Sequence, residues 1–208
     1  MRSGRLPWFL SGDPDLLQLL DDQMTETVVG MRAFARWSAS GSDADAQAVR
    51  DAEHAADRAR RTLAEGLQKV LVPPLEPEEL YTMSERLDVV INRAKSVVRD
   101  SQAVGWKPDA AATAMAGALL EGTEHLADAV GCIRSDAARS SRCADEATHC
   151  ARTVEKAHRA AMVALKDAHI DDALTLITTY EAYRGYLAIG EAIDHVAHRI
   201  WYSVLRAT

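Results

Sequence analysis

The sequence predicts an all-α protein: six long helices forming two sequence-related three-helix bundles, an N-terminal one over residues 1–104 and a C-terminal one over 105–208, either separate or packed as a single domain. Three observations lead there. The 208 residues are rich in alanine and hold only 5% aromatics, and the β-branched alternation that marks strands is hard to find. Apolar residues recur instead at three- and four-residue steps along six stretches. Those stretches fall three on each side of a break at Gly105-Trp106-Lys107-Pro108.

Helix 1 is expected after Ser11-Gly12-Asp13-Pro14, a cap followed by an N1 proline, and runs to about Trp37 with Leu16, Leu20, Met24, Val28 and Met31 inward. A Ser/Gly/Asp loop over 38–43 closes it. Helix 2 spans about 44–71 and turns Val49, Ala52, Ala56, Ala59, Leu63, Leu67 and Val70 inward. Pro73 and Pro74 block its continuation, and Pro77 is tolerated in the first turn of helix 3. Glu76, Glu78 and Glu79 suit the positive end of that helix's dipole. Helix 3 runs from Pro77 to about Ala103. Helix 4 starts near Asp109 and ends in the 135–141 region, and helix 5 covers about 141–167. A turn at 169–172 leads into helix 6, striped by Ala182, Tyr186, Ile189, Ile193, Ala197, Ile200 and Val204. The halves align faintly. Glu53-His54-Ala55-Ala56-Asp57-Arg58 falls on Val154-Glu155-Lys156-Ala157-His158-Arg159, and a nearly equal shift carries Asp88 and Asn92 onto Gly190 and Asp194.

Composition limits the function. A net charge of -7 argues against nucleic acid as the main partner, because phosphate backbones are met by basic faces. Cys132, Cys143 and Cys150 are an odd set, and the last two stand roughly 10 Å apart along one helix, too far to bridge. A reducing cytoplasm is the simplest reading. No apolar run approaches the roughly 18 residues of a membrane span. Leu6-Pro7-Trp8-Phe9-Leu10 is too short for a signal-peptide core and reads as a docking or packing segment, at most a peripheral membrane contact. Trp8 and Phe9 are the candidate contacts to a partner or a sister subunit.

Two polar pairs stand four residues apart, Glu53/Asp57 on helix 2 and Asp88/Asn92 on helix 3. At about 100° per residue both flank the core instead of entering it. Acids at i,i+4 repel by about 0.2–0.5 kcal/mol, so a nearby cation would make sense of Glu53/Asp57. The plainer reading pairs Asp57 with Arg61 on a solvated face. On helix 6, Glu191, Asp194, His195 and His198 project away from the apolar stripe. Two imidazoles and two carboxylates suit zinc or another first-row metal, and equally suit an exposed acid–histidine face. A similar group at Glu121, Glu124, His125 and Asp128 reads as surface.

Together, Glu53-x-x-x-Asp57, the corner Pro73-Pro74-Leu75-Glu76-Pro77-Glu78-Glu79-Leu80-Tyr81 and Leu87-Asp88-Val89-Val90-Ile91-Asn92 resemble the motifs of the PhoU-like family. The branch they are most similar to accompanies Pit-type inorganic phosphate permeases, and the resemblance spans most of the chain. It implies a pair of three-helix bundles, control of phosphate uptake or signalling through a membrane permease or signalling partner, and a homo-oligomer. It also implies a metal, iron or zinc or another ion, at Glu53, Asp57, Asp88 and Asn92. The pattern departs at Val89, where an aspartate is usual, and at Asn92, which replaces an acid. In the second half Val154, His158 and Gly190 replace acids, so a site there would need Asp194 with His195 or His198.

Two other functions compete. A ferritin-like di-metal protein needs Glu-x-x-His motifs converging from two helices. Glu146-x-x-His149 and Glu155-x-x-His158 both lie on helix 5, on roughly opposite faces. A generic helical adaptor with decayed metal sites is favoured by Val154 and Gly190. Phosphate-loop, dinucleotide and nucleophile-elbow motifs are missing from the sequence, so no enzyme class is indicated.

Overall fold

Five of the six helices begin where a serine or aspartate side chain accepts from the first-turn amides. The computed structural model describes residues 14–71, 73–168 and 172–207. Within them the elements are α1 (Leu16–Ser40), α2 (Asp43–Leu67), α3 (Pro77–Val104), α4 (Ala110–Cys132), α5 (Ala137–Asp167) and α6 (Ala173–Ala207). The all-α expectation holds.

The boundaries move for local reasons. Asp15, not Asp13, caps α1 by accepting from the Leu17 and Gln18 amides, while Asp13 lies outside the described residues. α1 runs three residues past Trp37 because Gly41, at φ 65°, turns its N–H back to the Trp37 carbonyl. α2 stops at Leu67, leaving Leu71 almost wholly exposed ahead of the prolines. α5 starts at Ala137, earlier than expected, because the Asp136 carboxylate accepts the Arg139 amide at 2.9 Å. Gly105, at φ 71°, ends α3. No helix among the described residues is long and apolar enough to cross a membrane.

Within each half, three helices pack on one another: α1, α2 and α3, then α4, α5 and α6. The halves meet through their equivalent helices, α1 on α4 and α3 on α6, so one apolar core runs through both. Phe34 of α1 stacks near Trp37 and meets the Tyr186 ring of α6 at 5.1 Å. Tyr186 is fully buried, and its hydroxyl lies 2.8 Å from Ser38 Oγ, which satisfies both polar groups inside the core. The motif corner is held to α6 as well. Glu79 is buried, accepting from Ser203 Oγ at 2.8 Å and pairing with Arg199 at 3.0 Å, and Glu76 pairs with Arg206 at 2.8 Å. Glu79 therefore does more than favour the helix dipole, as its position in the first turn suggested. It ties α3 to the opposite bundle.

Candidate functional site

The first-bundle motifs converge where α2 packs on α3. Glu53 is 6% exposed, which corrects the expectation that it flanks the core, and Lys95 of α3 sits 2.7 Å from its Oε1. The helical-wheel angle placed Glu53 at the stripe's edge correctly, but α3 closes over that edge. Arg60 reaches three acids: Asp57 at 2.9 Å, Glu85 at 2.7 Å and Asp88 at 3.5 Å. Arg61 adds the expected i,i+4 pair to Asp57 at 2.7 Å. Asn92 donates to the Asp88 carboxylate at 2.8 Å and to its carbonyl at 3.0 Å.

The two aspartates are tuned in opposite directions. The hydrogen bond from Arg60 holds the Asp57 carboxyl below the ordinary carboxylate range. Burial pushes the Asp88 carboxyl above it; Arg60 opposes that shift, and the charges of Asp57, Glu85 and Glu53 reinforce it. Glu53 Oε2 and Asp88 Oδ1 are buried without a hydrogen bond.

Those two orphaned oxygens test whether a metal fits. Each could ligate an ion, yet the carboxylates already face the chain's own cations. The ligand atoms of Glu53, Asp57 and Asp88 do not cluster as a metal-holding group among the described residues. A multinuclear ion cluster would have to displace Lys95 and Arg60, and carboxylates already held by these side chains do not fit one.

In the second bundle Val154 is fully buried, and a Cβ built on Gly190 would lie 3.4 Å from its Cβ. Val154 and Gly190, the positions onto which the faint repeat carries Glu53 and Asp88, thus face each other across α5 and α6. The shift that carries Glu53 onto Val154 also carries Arg60 onto Ala161, and the one that carries Asp88 onto Gly190 carries Lys95 onto Ala197. Both alanines are buried. His158 stands at the Asp57 position with its Nε2 buried and without a hydrogen bond. Burial, then the charges of Arg184 and Arg159, push its pKa down. The α6 candidates do not converge. His198 pairs with Asp194 of its own helix at 3.1 Å, whereas His195 is exposed and contributes only its carbonyl, to Arg86. Trp8 and Phe9 lie outside the described residues.

One feature escaped the sequence altogether. Between α3 and α6 runs a groove of about 650 Å³, lined by Val97, Val104, Trp106, Leu174 and Ile177 with Arg184 at its side. Leu174 is 67% exposed and Ile177 58%. These residues precede the predicted stripe of helix 6, which starts at Ala182, and so carried no core signal.

This arrangement of paired bundles is shared by solved structures. A PhoU-like protein from Shewanella oneidensis MR-1 superposes with a TM-score of 0.75, covering 91% of this chain and 99% of its own at 13% identity. The fold is the PhoU-like one. A putative PhoU-like phosphate regulatory protein from the same organism gives 0.76 at 12% identity, covering 92% of this chain and 99% of its own. PhoU from Pseudomonas aeruginosa gives 0.64 at 16% identity and 93% coverage of both chains. No protein-family model matches the sequence, and no curated protein matches it. At such identities the likeness is one of PhoU-like fold, not of site residues.

Proposed function

We propose that this protein is a non-enzymatic cytoplasmic regulator of inorganic phosphate transport or phosphate signalling. It acts by binding a partner, a Pit-type membrane permease or a signalling protein. The observation that carries this reading is the PhoU-like fold, shared over more than nine-tenths of the chain with PhoU and PhoU-like proteins, one of which is described as a phosphate regulatory protein. The sequence motifs at Glu53–Asp57, Pro73–Tyr81 and Leu87–Asn92 point the same way. The α3–α6 groove, with exposed Leu174 and Ile177 on its rim, supports protein binding, since exposed apolar patches on a water-facing helix mark contacts. Trp8 and Phe9 are a second contact, to the partner or to another copy of the chain. In this reading Lys95 and Arg60 take the place of an ion at Glu53, Asp57 and Asp88, and Asn92 donates to Asp88.

Deleting the gene in its own cells should change the rate of phosphate uptake, measured with labelled phosphate, and the parent sequence should restore it. Leu174→Asp/Ile177→Asp should fail to restore uptake while keeping the parent melting temperature. Unchanged uptake and unchanged phosphate-responsive expression after deletion would remove this reading. Trp8→Ala/Phe9→Ala should weaken self- or partner association without lowering Tm.

A further inference from the structure

The helices α4 and α5 bring together three donors that the sequence keeps apart. Glu121 and His125 stand one turn apart on α4, and Cys150 comes from α5. One ligand atom of each, a carboxylate oxygen, an imidazole nitrogen and the thiol sulfur, lies within 4.8 Å of the other two. Among the described residues this is the only group of three or more such side chains gathered so closely.

The juxtaposition is built into the helix packing. A Cβ on Gly122 would lie 3.1 Å from Cys150 Cβ and 3.6 Å from the Ala147 carbonyl oxygen. A larger residue would push the helices apart, so the missing side chain sets the depth at which Cys150 meets the Glu121–His125 turn. Among the described residues, neither the Glu121 side chain nor the His125 side chain makes a hydrogen bond or ion pair. Other acids and histidines differ: Glu124 is taken by Arg32 at 2.7 Å, and His198 on α6 is taken by Asp194 at 3.1 Å.

Thiolate, imidazole and carboxylate form a donor set for a borderline-soft divalent ion. Tetrahedral zinc holds its donors roughly 3.3–3.8 Å apart, given bond lengths near 2.0–2.3 Å. Closing the last ångström or so requires only rotamer changes in Glu121, which is exposed, and His125, which is half-buried. The buried sulfur fixes the inner side, and the outer side stays open to water as a fourth ligand. We propose that Glu121, His125 and Cys150 form an exchangeable site for a zinc-class divalent cation on the α4–α5 face.

The test is titration of the reduced full chain with Co(II), followed by competition with Zn(II). The site predicts one Co(II) per chain with a thiolate-to-metal charge-transfer band in the near ultraviolet. That band should vanish in Cys150→Ser and persist in Cys132→Ser/Cys143→Ser. Glu121→Gln and His125→Ala alter the open side and should leave the fold intact, and each should weaken Zn(II) binding by at least tenfold. A parent chain with no thiolate band would overturn the proposal. So would a band that survives Cys150→Ser, or Zn(II) affinity unchanged in both open-side variants.

Discussion

Where α2 meets α3, Glu53 and Lys95 lie 2.7 Å apart in a nearly closed crevice, with Arg60 among three acids beside them. The matching positions between α5 and α6 are Val154 and Ala197, with Ala161 for Arg60 and Gly190 for Asp88, and all four lie in the buried face. The two bundles share their helical layout but fill the aligned positions in opposite ways, with paired acids and cations in one and small apolar groups in the other. The acids and the cations are present together or absent together. Electrostatics gives the reason: a buried pair tolerates replacement of both partners by apolar groups, whereas losing one partner strands a charge in a low dielectric. His158 is the polar remainder of the second set, and its depressed pKa keeps it neutral near pH 7, which avoids that penalty.

Putting one charge back into the second bundle should have the largest effect. Val154→Glu should destabilise the protein by about 4 kcal/mol, because the carboxylate would face Gly190 and buried alanines with no cation. Adding Ala197→Lys should recover a substantial part of the loss, measured by urea denaturation. No recovery would mean that the positions are not structurally equivalent. Next in size, Lys95→Met leaves Glu53 buried with only the His54 imidazole, 3.6 Å away, and should cost about 3 kcal/mol. The double change Glu53→Val/Lys95→Ala, which copies the second bundle, should stay within about 1 kcal/mol of the parent.

A smaller effect separates the two aspartates by pH. Asp57 has a depressed carboxyl, so its contribution is full above the ordinary value of about 4 and is lost as pH falls through the lower folded value. Asp57→Asn should therefore cost about 1 kcal/mol at pH 7 and less near pH 3. Asp88 is raised, so its contribution is full below the ordinary value and is lost as pH rises through the higher folded value. Asp88→Asn should gain relative to the parent over that rise. Chemical denaturation of both variants across pH 3–7 would show slopes of opposite sign, and equal slopes would refute the assignment. The smallest expected change is a gain. A methyl on Gly190 would meet Val154 at ordinary contact distance, so Gly190→Ala should add about 0.5–1 kcal/mol through helix propensity. A loss of stability there would show that the two helices are packed more tightly than this separation.

Helix identity was legible in the sequence because it depends on local periodicity. Leu16, Leu20, Met24 and Met31 repeat at helical spacing and are all buried. The turns were legible too, since Gly105 and the prolines act within a few residues. Glu53 was not legible. Its wheel angle marks an edge, and whether an edge is wet or buried depends on which helix closes over it. Asp57 with Arg61 could be read from an i,i+4 step, whereas Lys95 and Arg60 reach their partners across helices. The same limit hid Cys150 from Glu121 and His125: no spacing rule joins residues on separate helices.

The residues alone carried the six helices and the motifs that resemble PhoU-like proteins, because these depend on side chains within a turn or two of one another, whereas the caps at Asp15 and Asp136 were placed only by the structure. Tertiary structure alone decided which acids are buried, which cations balance them, and which donors meet across α4 and α5. Those outcomes follow from helix–helix packing, where a missing Cβ at Gly122 or a lysine on the facing helix sets distances that no local pattern encodes.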